Sequence, residues 1–162
     1  MWEQSVTAAR TMAVLQGLEN VEFFAADVRS LTKESFAPAD LVLLYGLIYH
    51  TEDPIRILRT AAELTRDTLV IESQVTALEL TGDVEWGHYK SRKRIEGLFY
   101  VVADDHHREG GTTPIALIPS VEALRFTLTM LGFPKVRVVT PPEDEPEQLA
   151  RGRRAVIAAH RS

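Results

Sequence analysis

The chain has 162 residues, of which 45% are hydrophobic and 25% charged, a composition typical of an ordinary globular domain that buries a core. Its formal net charge of −5 argues against a protein that mainly coats nucleic acid, because such proteins need a dominant basic surface. The sequence has no cysteine, which excludes disulfides, thiolate metal ligands and a cysteine nucleophile and favours a cytoplasmic location.

The first predicted elements are an amphipathic helix and a short strand. Apolar residues recur at helical spacing over residues 3–16, and Gly17 stands where a helix commonly ends. Residues 21–26 form an apolar and aromatic run that Asp27 closes, a pattern typical of a buried parallel strand. We therefore expect a helix followed by a strand at the start of the chain.

Two further strands and the helix between them continue this alternation. Residues 41–46 and 68–72 predict buried strands, and the apolar run at 41–49 is too short to cross a bilayer, so no membrane partner is expected. Asp53 is the predicted N-cap of a helix over residues 54–64. The residues expected on the buried face of this helix are Ile55, Leu58 and Ala62. The alternation of strand and helix indicates a parallel sheet.

The rest of the chain first breaks this pattern and then resumes it. Residues 75–118 lack regular periodicity, which predicts a long irregular insertion that acts as a lid or binding element. Ser120 then caps a predicted helix that Gly132 ends. Residues 136–140 and 154–159 predict two strands that pair in antiparallel orientation.

Four short motifs occur in the order and spacing of one enzyme superfamily. They are Gly46-Leu47-Ile48-Tyr49-His50, Asp53-Pro54, Leu69-Val70-Ile71-Glu72 and Ile118-Pro119-Ser120. In these motifs the sequence resembles the class I S-adenosylmethionine-dependent methyltransferases, and among them the group similar to the tRNA wobble-uridine carboxymethyl- or methoxy-forming enzymes. The resemblance covers nearly the whole chain. It implies a Rossmann-like α/β sheet, S-adenosylmethionine (SAM) as cofactor, and transfer of a methyl or related one-carbon group to a small molecule or a tRNA base.

The resemblance implies roles for four residues at the cofactor. The carboxylate of Asp27 accepts a hydrogen bond from the adenine amino group, and Val28 contributes its backbone. Tyr45 and Gly46 end a strand where the chain passes close beneath the sulfonium and its methyl group, and glycine permits that approach because it has no side chain. Asp27 can instead cap a turn before Leu31, so two interpretations of this acid stay open.

Three further residues are expected on the substrate side, since ligands of such sheets lie outside the carboxyl ends of the strands. The resemblance implies that Tyr49 holds the carboxylate-bearing end of the cofactor or the substrate. His50 is a candidate general base, because the ordinary pKa of histidine lies near neutrality; a structural hydrogen bond to the strand–helix turn is the alternative. Tyr49 and His50 are thus the candidate catalytic residues, and Glu72 is a candidate substrate contact.

Two charged stretches carry weaker hypotheses. His106-His107 beside Asp104-Asp105 offers the side chains that metal ions bind, but adjacent side chains rarely converge on one ion. We therefore expect a solvated loop and no metal site. The basic run at residues 90–94 predicts either contact with a phosphate of RNA or substrate, or an ordinary solvated face.

The family pattern also contains parts for which this sequence has no counterpart. The first strand, its Gly-rich turn and the second strand with its ribose-binding acid are expected before Met1, so residues 1–162 are interpreted as a single incomplete, N-terminally truncated domain. Without these strands, the strands predicted at 21–26 and 41–46 have open edges, which favour a homodimer. Three explanations stay open: a gene model begun at an internal methionine, a truncated pseudo-enzyme, or a chain that rebuilds its sheet by direct pairing or dimerisation.

The main alternative function is a non-catalytic binding or interaction module that keeps the methyltransferase-like scaffold. A nicotinamide-dependent oxidoreductase is a weaker rival, because the sequence contains no G-x-G-x-x-G motif. It also leaves the Tyr49-His50 turn and the Ile118-Pro119-Ser120 segment unexplained.

Overall fold

The computed structural model describes residues 2–86, 91–103, 114–140 and 152–162. Backbone contacts divide the chain into two compact units, residues 1–31 and residues 32–162. A single domain over the whole chain stays a prediction. Among the described residues, no helix combines the length and the hydropathy that crossing a membrane requires.

The first unit begins with helix α1, Trp2–Leu15, where the spacing of apolar residues predicts one. The N–H of Leu18 donates to the carbonyl of Ala13 over 2.9 Å, and the N–H of Gly17 donates to that of Val14 over 3.1 Å. These bonds satisfy carbonyls that the last helical turn leaves without an intrahelical partner. The predicted helix is confirmed to within one residue at each end.

Residues 21–26 do not form a strand, so this prediction is wrong. A strand forms only where a neighbouring strand exchanges backbone hydrogen bonds with it, and none of the described strands pairs with this segment. Arg10 of α1 contacts the segment instead, and its Nη2 donates to the carbonyl oxygen of Phe23 over 2.7 Å. The chain then forms a 3₁₀ turn, Val28–Ser30, with Asp27 as its N-cap.

The second unit centres on a four-stranded sheet. Its described elements in chain order are β1 Ala39–Tyr45, α2 Pro54–Glu63, β2 Thr65–Gln74, β3 Thr81–Trp86, β4 Ser91–Glu96, β5 Phe99–Ala103, β6 Ile115–Pro119, α3 Val121–Met130, β7 Lys135–Val139 and β8 Arg154–His160. The strand order in the sheet is β1-β2-β8-β7. β1 is parallel to β2, whereas β8 is antiparallel to β2 and to β7. The predicted parallel pair and the predicted antiparallel C-terminal pair are both confirmed.

Both helices of the second unit begin at their predicted N-caps. The carboxylate of Asp53 accepts from the N–H of Arg56, and the hydroxyl of Ser120 accepts from the N–H of Ala123, each over 3.3 Å. The predicted face of α2 is wrong in one position, because Ile55 is partly exposed. α2 packs on β2, α3 packs on β7, and the helices contact each other. The core includes the fully buried Ile48, Leu58, Leu69, Ile71, Leu124, Leu128, Phe133 and Ile157.

The segment between β2 and α3 is more regular than predicted. β3 pairs with β4 and β5 pairs with β6, each as an antiparallel pair, so the prediction of an irregular insertion at 75–118 is wrong. β5 and β6 are rich in β-branched and aromatic residues, which pack well on a pleated surface. The N–H of Leu117 donates to the carbonyl of Thr51 over 3.0 Å. This bond fixes β6 beside the turn that follows β1.

β1 is an edge strand, as the open edge predicted at residues 41–46 requires. Among the described strands, only β2 pairs with it. The alternating residues Leu41, Leu43 and Tyr45 are 54%, 55% and 55% exposed, whereas Leu44 on the opposite face is buried. One face of β1 is therefore apolar and open to solvent within the second unit.

Candidate functional site at the strand ends

Three strands bring polar side chains to one edge of the sheet. Parallel β1 and β2 end there, and antiparallel β8 begins there, since Tyr45 lies opposite Glu72 and Gln74 lies opposite Arg154. Residues two apart on a strand share a face, so Glu72 and Arg154 are diagonal neighbours. Gly46, Tyr49, Glu72 and Arg154 together are called the strand-end cluster below.

Glu72 and Arg154 form an ion pair at the centre of the cluster. Nε of Arg154 donates to Oε1 of Glu72 over 2.5 Å, and Nη2 donates to Oε2 over 3.0 Å. The side chain of Arg154 is only 22% exposed and that of Glu72 only 18%. Hydrogen bonding to Glu72 raises the pKa of the Arg154 guanidinium above its ordinary value, and this effect outweighs the lowering caused by burial. Arg154 is therefore a permanently charged member of the cluster.

Gly46 ties the end of β1 to β2. Its N–H lies 3.1 Å from Oε2 of Glu72 and 3.1 Å from the carbonyl oxygen of the same residue, so it donates to a shared pair of acceptors. Its φ of 64° is in the left-handed region that glycine adopts at no steric cost. The turn after β1 is thus held by backbone and side chain of one residue.

The predicted catalytic residues lie in the 3₁₀ turn Ile48–His50 that follows Gly46. Tyr49 is 8% exposed, and its hydroxyl oxygen accepts a hydrogen bond from Nη2 of Arg154 over 2.9 Å. The guanidinium carbon lies 5.0 Å from the centre of the Tyr49 ring, within the range of a cation–π contact. The half-buried His50 packs against the same ring with centroids 4.2 Å apart.

Four of the sequence-predicted residues therefore share one turn and one strand end: Gly46, Tyr49, His50 and Glu72. Tyr45 lies on the same face of the sheet as Glu72, and its side chain is half exposed. The roles assigned to these residues in cofactor binding, catalysis and substrate contact stay predictions. Both oxygens of Glu72 already accept hydrogen bonds within the cluster, so Glu72 acts first as an internal anchor.

Asp27 and Val28 belong to the first unit. Asp27 Oδ1 accepts from the N–H of Arg29 over 2.9 Å, and Oδ2 pairs with Nη2 of Arg29 over 2.7 Å. Val28 begins the capped turn and is half buried. The capping interpretation of Asp27 is observed, and its role at adenine stays a prediction.

Sequence reasoning missed Arg154. Its partners Glu72 and Tyr49 lie 82 and 105 positions away along the chain, so no local motif marks it. The available signal was the predicted antiparallel strand at 154–159. If that strand is placed beside the strand at 68–72, its first residue reaches the end that carries Glu72.

The described residues cover only part of the two charged stretches that the sequence analysis considered as ligand sites. His106-His107 and Asp104-Asp105 lie outside them, and no described group of three His, Asp or Glu side chains has the arrangement of a metal site. Lys90 also lies outside them, but Arg94 is opposite Asp83 and forms an ion pair with Glu96 over 3.0 Å. Neighbouring acids thus offset part of the positive charge of the basic run, and this weakens its attraction for phosphate.

The first unit contains an open groove of about 520 Å³. Its lining is Arg10, Ala13, Val14, Leu18, Val21, Glu22, Phe23 and Phe24. Arg10 in this lining already donates to the Phe23 carbonyl, and the other side chains are mostly apolar. Most of the candidate binding and catalytic residues lie at the strand ends of the second unit instead.

Solved structures share this arrangement of elements. The N-terminal domain of EvdMO1, crystallised in the presence of SAH and D-fucose, superposes with a TM-score of 0.70 over 98% of this chain, at 20% sequence identity. The chain has the fold of the class I methyltransferases. Magnesium protoporphyrin IX methyltransferase from Synechocystis PCC 6803 with bound SAH follows at a TM-score of 0.59 and 17% identity over 99% of the chain. An O-methyltransferase family protein from Burkholderia thailandensis superposes with a TM-score of 0.58 over 96% of this chain, at 15% sequence identity.

The present chain spans 62% of the EvdMO1 domain, 61% of the Synechocystis enzyme and 40% of the Burkholderia protein. No protein-family model matches the sequence, and no curated protein matches it significantly. The predicted Rossmann-like methyltransferase fold is confirmed. The finer resemblance to the tRNA wobble-uridine group stays a prediction.

Proposed function

We propose that this chain carries residues of a SAM-dependent methyltransferase site, on both its cofactor and its acceptor side. The observation that carries the proposal is the strand-end cluster, in which Glu72 fixes the Gly46 turn and Arg154 fixes the Tyr49 hydroxyl. Ligands of open α/β sheets bind outside the carboxyl ends of parallel strands, where this cluster lies. The methyltransferase fold of the chain and the SAH or SAM in its structural neighbours support SAM as the ligand.

The geometry at Gly46 fits close approach of such a cofactor. A Cβ at this position would lie 3.8 Å from the Tyr49 hydroxyl, so the missing side chain leaves backbone accessible beside a polar group. The ion pair of Glu72 and Arg154 has no net charge, so Arg154 does not impose an uncompensated positive charge next to a cationic sulfonium. Within the second unit, Tyr45 and Gly46 would line the methyl group; the adenine role of Asp27 and Val28 in the first unit stays a separate proposal.

When bound, SAM would supply an electrophilic methyl group: the nucleophile bonds to the methyl carbon, the carbon–sulfur bond breaks, and S-adenosylhomocysteine leaves. The residues of this chain have the task of placing that nucleophile in line, which is the main requirement of such a reaction. Tyr49 is held by Arg154 and can position the acceptor by a hydrogen bond. The His50 imidazole adjoins Tyr49 and is the candidate group to take up a proton that the acceptor loses.

We propose a small molecule rather than a tRNA base as acceptor. The partial offset of the basic run by Asp83 and Glu96 and the net charge of −5 both disfavour a large polyanion. A cytoplasmic location remains the expectation from the lack of cysteine.

A non-catalytic module that keeps the scaffold is the second candidate. It is favoured by the internal ion pairs of Asp27 with Arg29 and of Glu72 with Arg154, which engage the two acids predicted to bind ligands. In such a module these pairs would serve stability alone.

Calorimetric titration of the purified chain with S-adenosylhomocysteine (SAH) separates the two. The methyltransferase proposal predicts a Kd of about micromolar order, weakened roughly tenfold by Asp27→Ala. Arg29→Ala is the matched control, because it removes the ion pair and leaves the carboxylate. A folded chain that binds neither SAH nor SAM would support the non-catalytic module.

A further inference from the structure

The strand-end cluster has more hydrogen-bond donors than acceptors. The guanidinium of Arg154 carries five N–H groups, of which Nε–H and the two on Nη2 are directed to Glu72 and Tyr49. The described residues provide no partner for the two N–H groups of Nη1. The Tyr49 oxygen accepts from Arg154, and its own proton is not donated to any described residue. Within the part of the chain that the structure describes, three donor hydrogens therefore remain without an acceptor.

The acceptors of the cluster are already in use. Oε1 of Glu72 takes one N–H from Arg154, while Oε2 takes another from Arg154 and shares the N–H of Gly46. Tyr49 is buried and Arg154 is mostly so, but Nη1 of Arg154 is not one of the described buried atoms that lack a partner, so a ligand can reach it from solvent. The remaining donor hydrogens therefore favour a bound group that brings an acceptor oxygen of its own.

We propose that the Tyr49 hydroxyl and Nη1 of Arg154 bind a carboxylate or carbonyl oxygen of the methyl acceptor. This inference rests on the proposed function, in which the neighbouring Gly46 turn borders the methyl donor. The Tyr49 hydroxyl lies beside Gly46, so an oxygen bound there anchors the acceptor next to the position of methyl transfer. Arg154 is a binding residue in this account, and Glu72 is a positioning residue that orients its guanidinium.

Three small phenols test the proposal on the SAH-saturated chain. They are 4-hydroxybenzoate, 4-hydroxyacetophenone and 4-ethylphenol, which share the ring and hydroxyl and carry a carboxylate, a carbonyl or no acceptor oxygen at the para position. Titrations followed by ligand NMR are expected to show about tenfold tighter binding of the first or second probe than of 4-ethylphenol. The preferred probe identifies carboxylate or carbonyl as the recognised group.

Variants assign the preference to the cluster. Arg154→Met and Tyr49→Phe should each reduce the affinity for the preferred probe to that for 4-ethylphenol. Arg154→Lys should retain part of the difference in affinity between these two probes. Arg161→Met is the matched control, since Arg161 also belongs to the C-terminal segment and stacks on an aromatic ring, at 4.5 Å from the Phe133 centroid. It also donates to the carbonyl of Ala62 over 2.7 Å, so its loss should lower thermal stability and leave the probe preference intact.

Equal affinity for the three probes would overturn the proposal, and so would a preference that survives in Arg154→Met. Lack of binding by all probes up to about 10 mM would overturn it as well. If the chain does not bind SAH, the proposed function fails separately, and the same probe series without SAH still decides whether Tyr49 and Arg154 recognise an oxygen acceptor.

Discussion

Arg154 and Glu72 form a two-point ion pair across 82 positions of sequence, and this pair joins the start of β8 to the end of β2. The same carboxylate accepts from Gly46 and the same guanidinium donates to Tyr49. One salt bridge thus fixes both the turn after β1 and the hydroxyl that follows it. We infer that the pair serves the geometry of the site as well as the stability of the sheet.

A double-mutant cycle should reveal strong coupling between these two residues. Glu72→Gln and Arg154→Met each leave a partly buried polar partner without its counter-charge, so each should lower the free energy of unfolding by about 1–3 kcal/mol. The double variant should lose clearly less than the sum, as measured by urea unfolding. The exposed pair of Arg66 and Asp40, with side chains 60% and 80% exposed, is the control and should couple by less than about 0.5 kcal/mol. Simple additivity at Glu72 and Arg154 would refute the coupling.

The stabilisation by Arg154 should not depend on pH near neutrality. Its pKa is raised in the folded chain, so the stability it contributes is fully present below the unfolded pKa and is lost only as pH rises through the folded value. Both values lie far above neutrality. The difference in Tm between the wild type and Arg154→Met should therefore be constant from about pH 6 to pH 9. A difference that shrinks steadily over this range would contradict the assignment of a permanent charge.

Gly97 is expected to tolerate no side chain. Its φ is 112°, and a Cβ there would lie 2.7 Å from Oγ of Ser120 and would also meet the backbone of Ala123. Gly97→Ala should destabilise the chain by about 2–4 kcal/mol through backbone strain and overpacking. Gly82→Ala is the control, because Gly82 also has positive φ but open space around it, and it should cost about 1–2 kcal/mol. Equal losses of Tm in the two variants would show that crowding by Ser120 and the Ala123 backbone does not matter.

The open edge of β1 should promote self-association of this chain. Antiparallel pairing of two copies about Val42 would place Leu41 of each copy opposite Leu43 of the other, a self-complementary apolar match. We expect Leu43→Lys to shift sedimentation toward the monomer, whereas Val138→Lys on β7, at the other edge of the sheet, should have little effect. A wild-type chain that is monomeric at all concentrations would rule out this dimer.

The local features of the fold could be predicted from the sequence. The caps at Asp53 and Ser120 depend on neighbouring residues, and each was found in its predicted place. β1 ends one residue before its predicted end at 46, and β2 ends two residues after its predicted end at 72. The failed strand at 21–26 shows the limit of local pattern, because strand formation also requires a partner with open hydrogen bonds. The pairs within 75–118 escaped prediction because charged residues occupy much of β3 and β4.

The candidate site also contains residues that local sequence signals identify and one residue that they do not. Gly46, Tyr49 and Glu72 carry local signals at strand ends, and the structure brings them together. Arg154 carries none, because its position depends on the register of two strands distant in sequence. The residue that organises the cluster was therefore the one that the sequence alone could not identify.

In the proposed function, SAM binds at the carboxyl ends of β1 and β2. Two-dimensional ¹⁵N NMR of the labelled chain, recorded during titration with SAH, tests that location residue by residue. We predict that the backbone amides of Gly46 and Tyr49 shift in a saturable manner, while that of Gly132, after α3, stays in place. Saturable shifts that leave Gly46 and Tyr49 unmoved, or no shifts in a folded chain, would contradict SAM binding at these strand ends.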